Sequence, residues 1–213
     1  KEMGYYKGRD RDFSFSDAYA PVDFGKLRAC EARVWAAFNI LGNGMIGDKP
    51  YTYYTDYALG HNGANKMPLY IKPAKKVSVR DIAEIMRDHY EGTILDMTQD
   101  IGAGGNELPY RWRPLSWEYQ GERYYNERAI ATQQTGFWLL GQARNWLPDE
   151  IGGILWFAVD DAATAPLTPI YSSSLDVPNC FREGNGTLFS YSESAAFWIF
   201  NRVSNFAYNR YNL

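Results

Sequence analysis

Apolar residues between positions 26 and 41 recur at three- and four-residue steps: Leu27, Cys30, Val34, Ala37, Phe38 and Leu41. That spacing predicts one apolar face on a helix over residues 26–41. Gly42, Gly44 and Gly47 follow and end it. A second helix is predicted from Ser78, whose hydroxyl can cap the first turn while Asp81 complements the free amides. Val79, Ile82, Ile85 or Met86, and His89 share its face, and Gly92 stops it. A last helix is predicted over residues 191–211, opened by a capping box of Ser190 and Glu193. Its Ala195, Ala196, Trp198, Ile199, Val203 and Phe206 cover more than half its circumference, so it is expected to be largely buried.

The pattern shortens elsewhere. Strands are expected at 128–140, 152–160 and 165–172. The second, Gly-Gly-Ile-Leu-Trp-Phe-Ala-Val, is nearly all apolar, as in a strand covered on both faces. The gaps are too short for crossover helices, so antiparallel pairing is expected, with turns at Leu147-Pro148-Asp149 and Asp160-Asp161. Residues 48–76 are rich in Tyr, Asn and Pro and read as a long ordered loop. Pro109 and Pro114 bracket Arg111, Trp112 and Arg113 in turn or strand-edge material. Together these imply a layered α+β fold, mainly antiparallel sheet with flanking helices. One unit spans 1–213, helical or irregular over 1–107 and strand-rich with the final helix over 108–213.

Composition narrows the function. A chain of 213 residues can bury a sizeable core, and its 17 Tyr and 7 Trp add apolar area whose polar tips need partners. No apolar run approaches the roughly 18 residues of a membrane span, so no membrane partner is expected. A net charge of -3 carries no electrostatic footprint for nucleic acid, and the basic cluster of Lys72, Lys75 and Lys76 is broken by Pro73. Gly102 to Gly105 lacks the context of a phosphate-cradling loop. Two cysteines set no disulfide framework. Cys30 is expected to pack as a small hydrophobe and Cys180 to lie in a loop; a bridge between them stays open, as does the compartment.

The only histidines, His61 and His89, have no second ligand at metal spacing, so no metal is expected. Their scarcity argues against a triad with an imidazole base. It is compatible with a nucleophile at a mature N-terminus, whose own α-amine, titrating near pH 8, takes the proton. A non-enzyme needs no histidine either.

Several segments, in this order, resemble the dipeptidase-A family of N-terminal-nucleophile cysteine hydrolases. They are Arg11-Asp-Phe-Ser-Phe-Ser-Asp-Ala-Tyr, the stretch from Arg28 to Trp35, His89-Tyr-Glu-Gly-Thr with Asp96-Met-Thr, and Asn126-Glu-Arg-Ala-Ile. The run from Trp146 through Gly152-Gly-Ile-Leu-Trp-Phe-Ala-Val-Asp-Asp to Thr164, and Ser194-Ala-Ala-Phe-Trp-Ile-Phe-Asn-Arg-Val-Ser-Asn, complete the set. The resemblance implies the C-terminal part of a four-layer αββα sandwich and dipeptide hydrolysis without a cofactor. The chain starts at Lys1, and neither Cys30 nor Cys180 stands at a mature N-terminus, so the nucleophile is expected upstream and this chain alone inactive. The implied partners are a dipeptide or short peptide, the remaining N-terminal part of the protein, and a second copy if a sheet edge is left open.

The resemblance also marks site residues. Arg128 would pair with the substrate carboxylate or hold charge near the thiolate. Glu127 would bind the substrate ammonium, fix Arg128, or form a partly buried ion pair. Asp96, Thr98 and Arg111 form a supporting set, with Asp96 expected to hold Arg111. Asp160 and Asp161 read as turn-making or capping residues rather than an acid–base pair, and Trp138 and Trp156 as core. Two other readings remain: a degenerate, non-catalytic relative that binds peptide, and an amidase acting on bile-salt or penicillin-type amides.

Overall fold

The computed structural model describes residues 3–112 and 114–213; Arg113, in the turn expected between Pro109 and Pro114, lies outside them. After a short helix α1 (Phe15–Tyr19), Asp23 accepts from the Lys26 amide at 2.9 Å and opens α2 (Phe24–Lys26). The rod then winds through a π-turn at Leu27–Glu31 and continues as α3 (Ala32–Gly42). Gly42 stays helical, and the left-handed position after it belongs to Asn43 (φ 51°), whose short polar side chain tolerates that conformation. The π-turn also corrects the expected stripe. One extra residue turns the rod by roughly 100°. The buried positions become Leu27, Ala32, Trp35 and Ala36, while Cys30 and Val34 are exposed. Cys30 and Cys180 are both free thiols.

A small ribbon of β1 (Met45–Ile46) and β2 (Lys49–Pro50) follows. The expected loop then contains two helical pieces, a 3₁₀ turn at Tyr51–Tyr54 and α4 (Thr55–Ala58). Helix α5 (Val79–Met86) starts with the capping box foreseen at Ser78 and Asp81. It ends earlier than expected, at Met86, and His89 is not on its face. Local side chains take over the backbone there: the Asp88 carboxylate accepts from the Tyr90 amide at 3.1 Å and that of Glu91 from the His89 amide at 2.6 Å.

An unforeseen hairpin joins β3 (Ser116–Tyr119) to β4 (Glu122–Tyr125). Gln120 (φ 51°) and Gly121 (φ 82°) make its two-residue turn, both in the left-handed region that matches strand twist. Strand β5 (Phe137–Ala143), helix α6 (Asp149–Gly152), strands β6 (Gly153–Val159) and β7 (Thr168–Tyr171) and helix α7 (Ala196–Asn209) complete the chain. The main sheet is antiparallel in the order β5-β6-β7, with Trp138 opposite Ala158 and Leu155 opposite Ile170. Strand β5 starts only at Phe137, because residues 128–135 spend their backbone groups on the loop after α5 and on a local turn. Helix α7 begins at Ala196 without a side-chain cap. Ser190 bridges to Thr187 instead, and Asn185 and Ser192 hold Ser194.

The chain is therefore an α+β fold of small antiparallel sheets flanked by helices. One core gathers Trp35, Ile46, Tyr54, Tyr90, Leu95, Met97 and Ala129. A second packs Ala83 and Met86 of α5 and Phe200 of α7 against Trp138 and Ala158. Residues from both sides of position 107 contribute to each. Strand β6 is covered unevenly rather than fully on both faces: Ile154 and Ala158 are buried on one, whereas on the other Phe181 packs on Phe157 with ring centroids 5.5 Å apart but Leu155 is 38% exposed beside Leu139 (52%) and Phe137 (61%). Helix α7 is likewise less buried than its pattern implied, with Val203 and Phe206 exposed. No helix among the described residues is long and apolar enough to cross a membrane.

Candidate functional site

The π-turn aims Arg28 at the segment that precedes β5. There Glu127 accepts from Arg28 on one carboxylate oxygen and from Arg111 Nε at 3.5 Å on the other. The Arg111 guanidinium is buried and fully engaged. Nη2 donates to both oxygens of Asp100 at 2.6 Å, and Nη1 to the carbonyls of Met97, Leu108 and Tyr110 at 3.2–3.4 Å. Gly102 is required by this packing: a Cβ there would stand 2.8 Å from Arg111 Nε. A chain of alternating charge, Arg28–Glu127–Arg111–Asp100, thus ties α2/α3, the 3₁₀ segment at Ile101–Asn106 and the strand-leading segment into one wall.

Arg128 points the other way. It is exposed, and its guanidinium has no hydrogen bond or ion pair among the described residues. Its neighbours Ala129 and Ala131 are buried, so the backbone alternates with Arg128 outward. Its carbonyl accepts from the Tyr90 hydroxyl at 2.6 Å, and the Ala131 amide donates to the Asp88 carbonyl at 3.1 Å. Arg128 and Glu127, with Tyr110, Arg111, Thr132 and Gln133, line a narrow cleft. Its volume of about 30 Å³ suits a water or a small polar head group, not a whole side chain. Gln133 Oε1 is buried there without a hydrogen-bond partner among the described residues, an acceptor that favours a donor from a ligand or water. Neither cysteine lines the cleft.

Asp96 does not hold Arg111; Asp100 and Glu127 do. Asp96 instead accepts from the Thr98 amide and hydroxyl at 2.9 and 2.6 Å and from the Gly92 amide at 3.0 Å. Burial raises its pKa, but these donors outweigh it and leave the carboxyl below its ordinary value. Asp96 and Thr98 therefore knit the loop beneath the cleft. Asp160 and Asp161 lie at the end of β6, buried, and fasten it to α7: Asn201 donates to Asp160 and Tyr208 to Asp161. Burial pushes the Asp161 carboxyl up against the pull of the Ala163 amide. His89, also buried, joins Glu91 and Tyr208. Among the described residues no group of three His, Cys, Asp or Glu is placed to hold a metal ion.

Of the residues singled out in the sequence, Glu127, Arg128 and Arg111 meet at one cleft. Gln133 lines the cleft with them, and Arg28, Tyr90 and Asp100 bond to its lining residues from behind; none of these four was foreseen. Arg28 and Tyr90 lay inside quoted motifs, and the Gln133-Gln134 pair was an oddly polar stretch for a buried strand; nothing marked Asp100.

The sequence model of peptidase family C69 matches residues 1–213. The chain belongs to peptidase family C69. Among curated proteins, this C69 chain is 22% identical over 169 residues to a "Probable dipeptidase B" of Lactococcus lactis subsp. lactis (strain IL1403), covering 76% of the chain and 31% of that protein. It is 26% identical over 120 residues to a "Probable dipeptidase" of Latilactobacillus sakei, covering 56% of the chain and 22% of that protein. The C69 chain thus spans less than a third of the length of the curated relatives it matches.

Proposed function

We propose that residues 1–213 build one wall of the substrate pocket of a cysteine dipeptidase whose nucleophile comes from sequence upstream of Lys1. The observation that carries this reading is the exposed Arg128 guanidinium, without a partner among the described residues, held at a cleft by a backbone whose carbonyl accepts from the Tyr90 hydroxyl. A guanidinium so placed takes a carboxylate through two parallel N–H donors, the geometry needed to hold the C-terminus of a dipeptide. In the proposed reaction the upstream cysteine thiolate attacks the scissile carbonyl carbon. Its own α-amine accepts the thiol proton and passes it to the leaving amine, and water then hydrolyses the thioester. Glu127, with one arginine on each oxygen, fixes the wall and leaves the substrate ammonium to other groups. Both curated relatives carry dipeptidase names, which supports the substrate class.

The open face of the main sheet, at Phe137, Leu139 and Leu155, supports a second sheet packing there from upstream, as in an αββα sandwich. Residues 1–213 alone are then expected to hydrolyse no dipeptide. In the full-length gene product, Arg128→Gln is expected to lower kcat/KM for a free dipeptide at least tenfold, mainly through KM, and to leave the corresponding dipeptide amide within about twofold. Equal losses on both substrates would remove Arg128 from carboxylate recognition. Carboxylate-dependent binding without turnover by the full-length product would move the reading to a peptide-binding relative.

A further inference from the structure

We infer that Tyr90 is a positioning residue that sets where Arg128 stands at the cleft; this rests on the reading of Arg128 as the carboxylate-binding group. The Arg128 guanidinium finds no partner among the described residues, so its place depends on its own backbone. That backbone is pinned from one loop. The Tyr90 hydroxyl donates to the Arg128 carbonyl at 2.6 Å, and the Asp88 carbonyl receives the Ala131 amide at 3.1 Å.

Tyr90 is an unusual choice for ordinary packing. It is 1% exposed and adopts φ +68°, a left-handed conformation that bulky side chains avoid. Its surroundings over-determine that conformation, as strain at a working position requires. The Asp88 carboxylate accepts from its amide at 3.1 Å, and the Thr93 amide and hydroxyl donate to its carbonyl at 3.1 and 2.7 Å. Glycine would relieve the conformation but carries no hydroxyl to reach Arg128. Strain, burial and a single directed hydrogen bond converge on the peptide group of Arg128.

The test compares kcat/KM for a free dipeptide and for its C-terminal amide in the full-length gene product. Tyr90→Phe keeps the ring and removes the donor. It is expected to lower kcat/KM for the free dipeptide about tenfold while the amide stays within twofold, as loss of one well-placed hydrogen bond would do. In the Arg128→Gln background the same change is expected to add nothing. Thr93→Val, which removes a hydroxyl from the Tyr90 carbonyl, should shift the ratio in the same direction and serves where Tyr90→Phe does not fold. Equal losses on both substrates, or effects that add to Arg128→Gln, would make Tyr90 purely structural and overturn the inference. An unchanged ratio in Tyr90→Phe and Thr93→Val alongside a collapsed ratio in Arg128→Gln would sink the inference alone. An unchanged ratio in Arg128→Gln would sink the carboxylate reading, and this one with it.

Discussion

Asp88 shows how one residue beside the cleft links ionisation to stability. Burial pushes its carboxyl up to about 6, against the Tyr90 amide that donates to it and with the Glu91 charge adding to the rise. The folded value lies above the ordinary 3.8, so between the two the native state holds the extra proton. Stability from this group is full below pH 4 and is lost as pH rises through 6. Wild-type protein is expected to lose on the order of 2 kcal/mol between pH 4 and 6 relative to Asp88→Asn. Chemical denaturation of both proteins at the two pH values measures this, and parallel behaviour would refute it. At this scale the sequence was partly legible. Arg128 and Glu127 were marked by the resemblance of Asn126-Glu-Arg-Ala-Ile, not by any pattern of charge along the chain. The partner of Arg111 could not, since Asp96 and Asp100 are equivalent until the chain between them has folded. Nor could the left-handed Tyr90, whose conformation is fixed by bonds to Asp88 and Thr93 on either side and whose hydroxyl reaches the distant Arg128.

Elements were legible where their signals are local. The start of α5 followed from Ser78 and Asp81, and the structure shows the reciprocal capping box. This short helix covers Trp138 and Ala158 with Ala83 and Met86, so fraying its first turn is felt by the sheet. Ser78→Ala is expected to cost about 1 kcal/mol, read as a lower denaturation midpoint with an unchanged slope. The middle of the sheet was also legible, because a short apolar run bounded by turn residues places β6 and the short gap after it places β7, although the uneven cover on β6 was not foreseen. Boundaries set by competition were not. His89 fits the α5 stripe, yet the Asp88 and Glu91 carboxylates capture the amides that would prolong the helix. Ser190 and Glu193 spell a capping box, yet Asn185 and Ser192 bind Ser194 first. The hairpin at β3 and β4 announced itself only through Gln120-Gly121, a weaker turn signal than Asn-Gly.

For the molecule as a whole, the uneven cover on the main sheet matters most. One face packs against α5, and the other presents Phe137, Leu139 and Leu155. A contiguous apolar surface of this kind marks a place where something else packs. Residues 1–213 in isolation are expected to bind an apolar fluorescent dye and to self-associate in sedimentation. A Leu139→Lys, Leu155→Lys variant should do neither, and the full-length product should bind far less dye. A strictly monomeric, dye-silent fragment would contradict the open face. The continuous rod from Phe24 to Gly42 serves two places at once, delivering Arg28 to the charged wall and Trp35 to the core. Those two deliveries are in phase only because the π-turn between them carries a surplus residue. Excising one position would swing Arg28 about a quarter-turn out of alignment with Trp35. The gene should therefore accept many changes of letter along this rod and very few changes in its length.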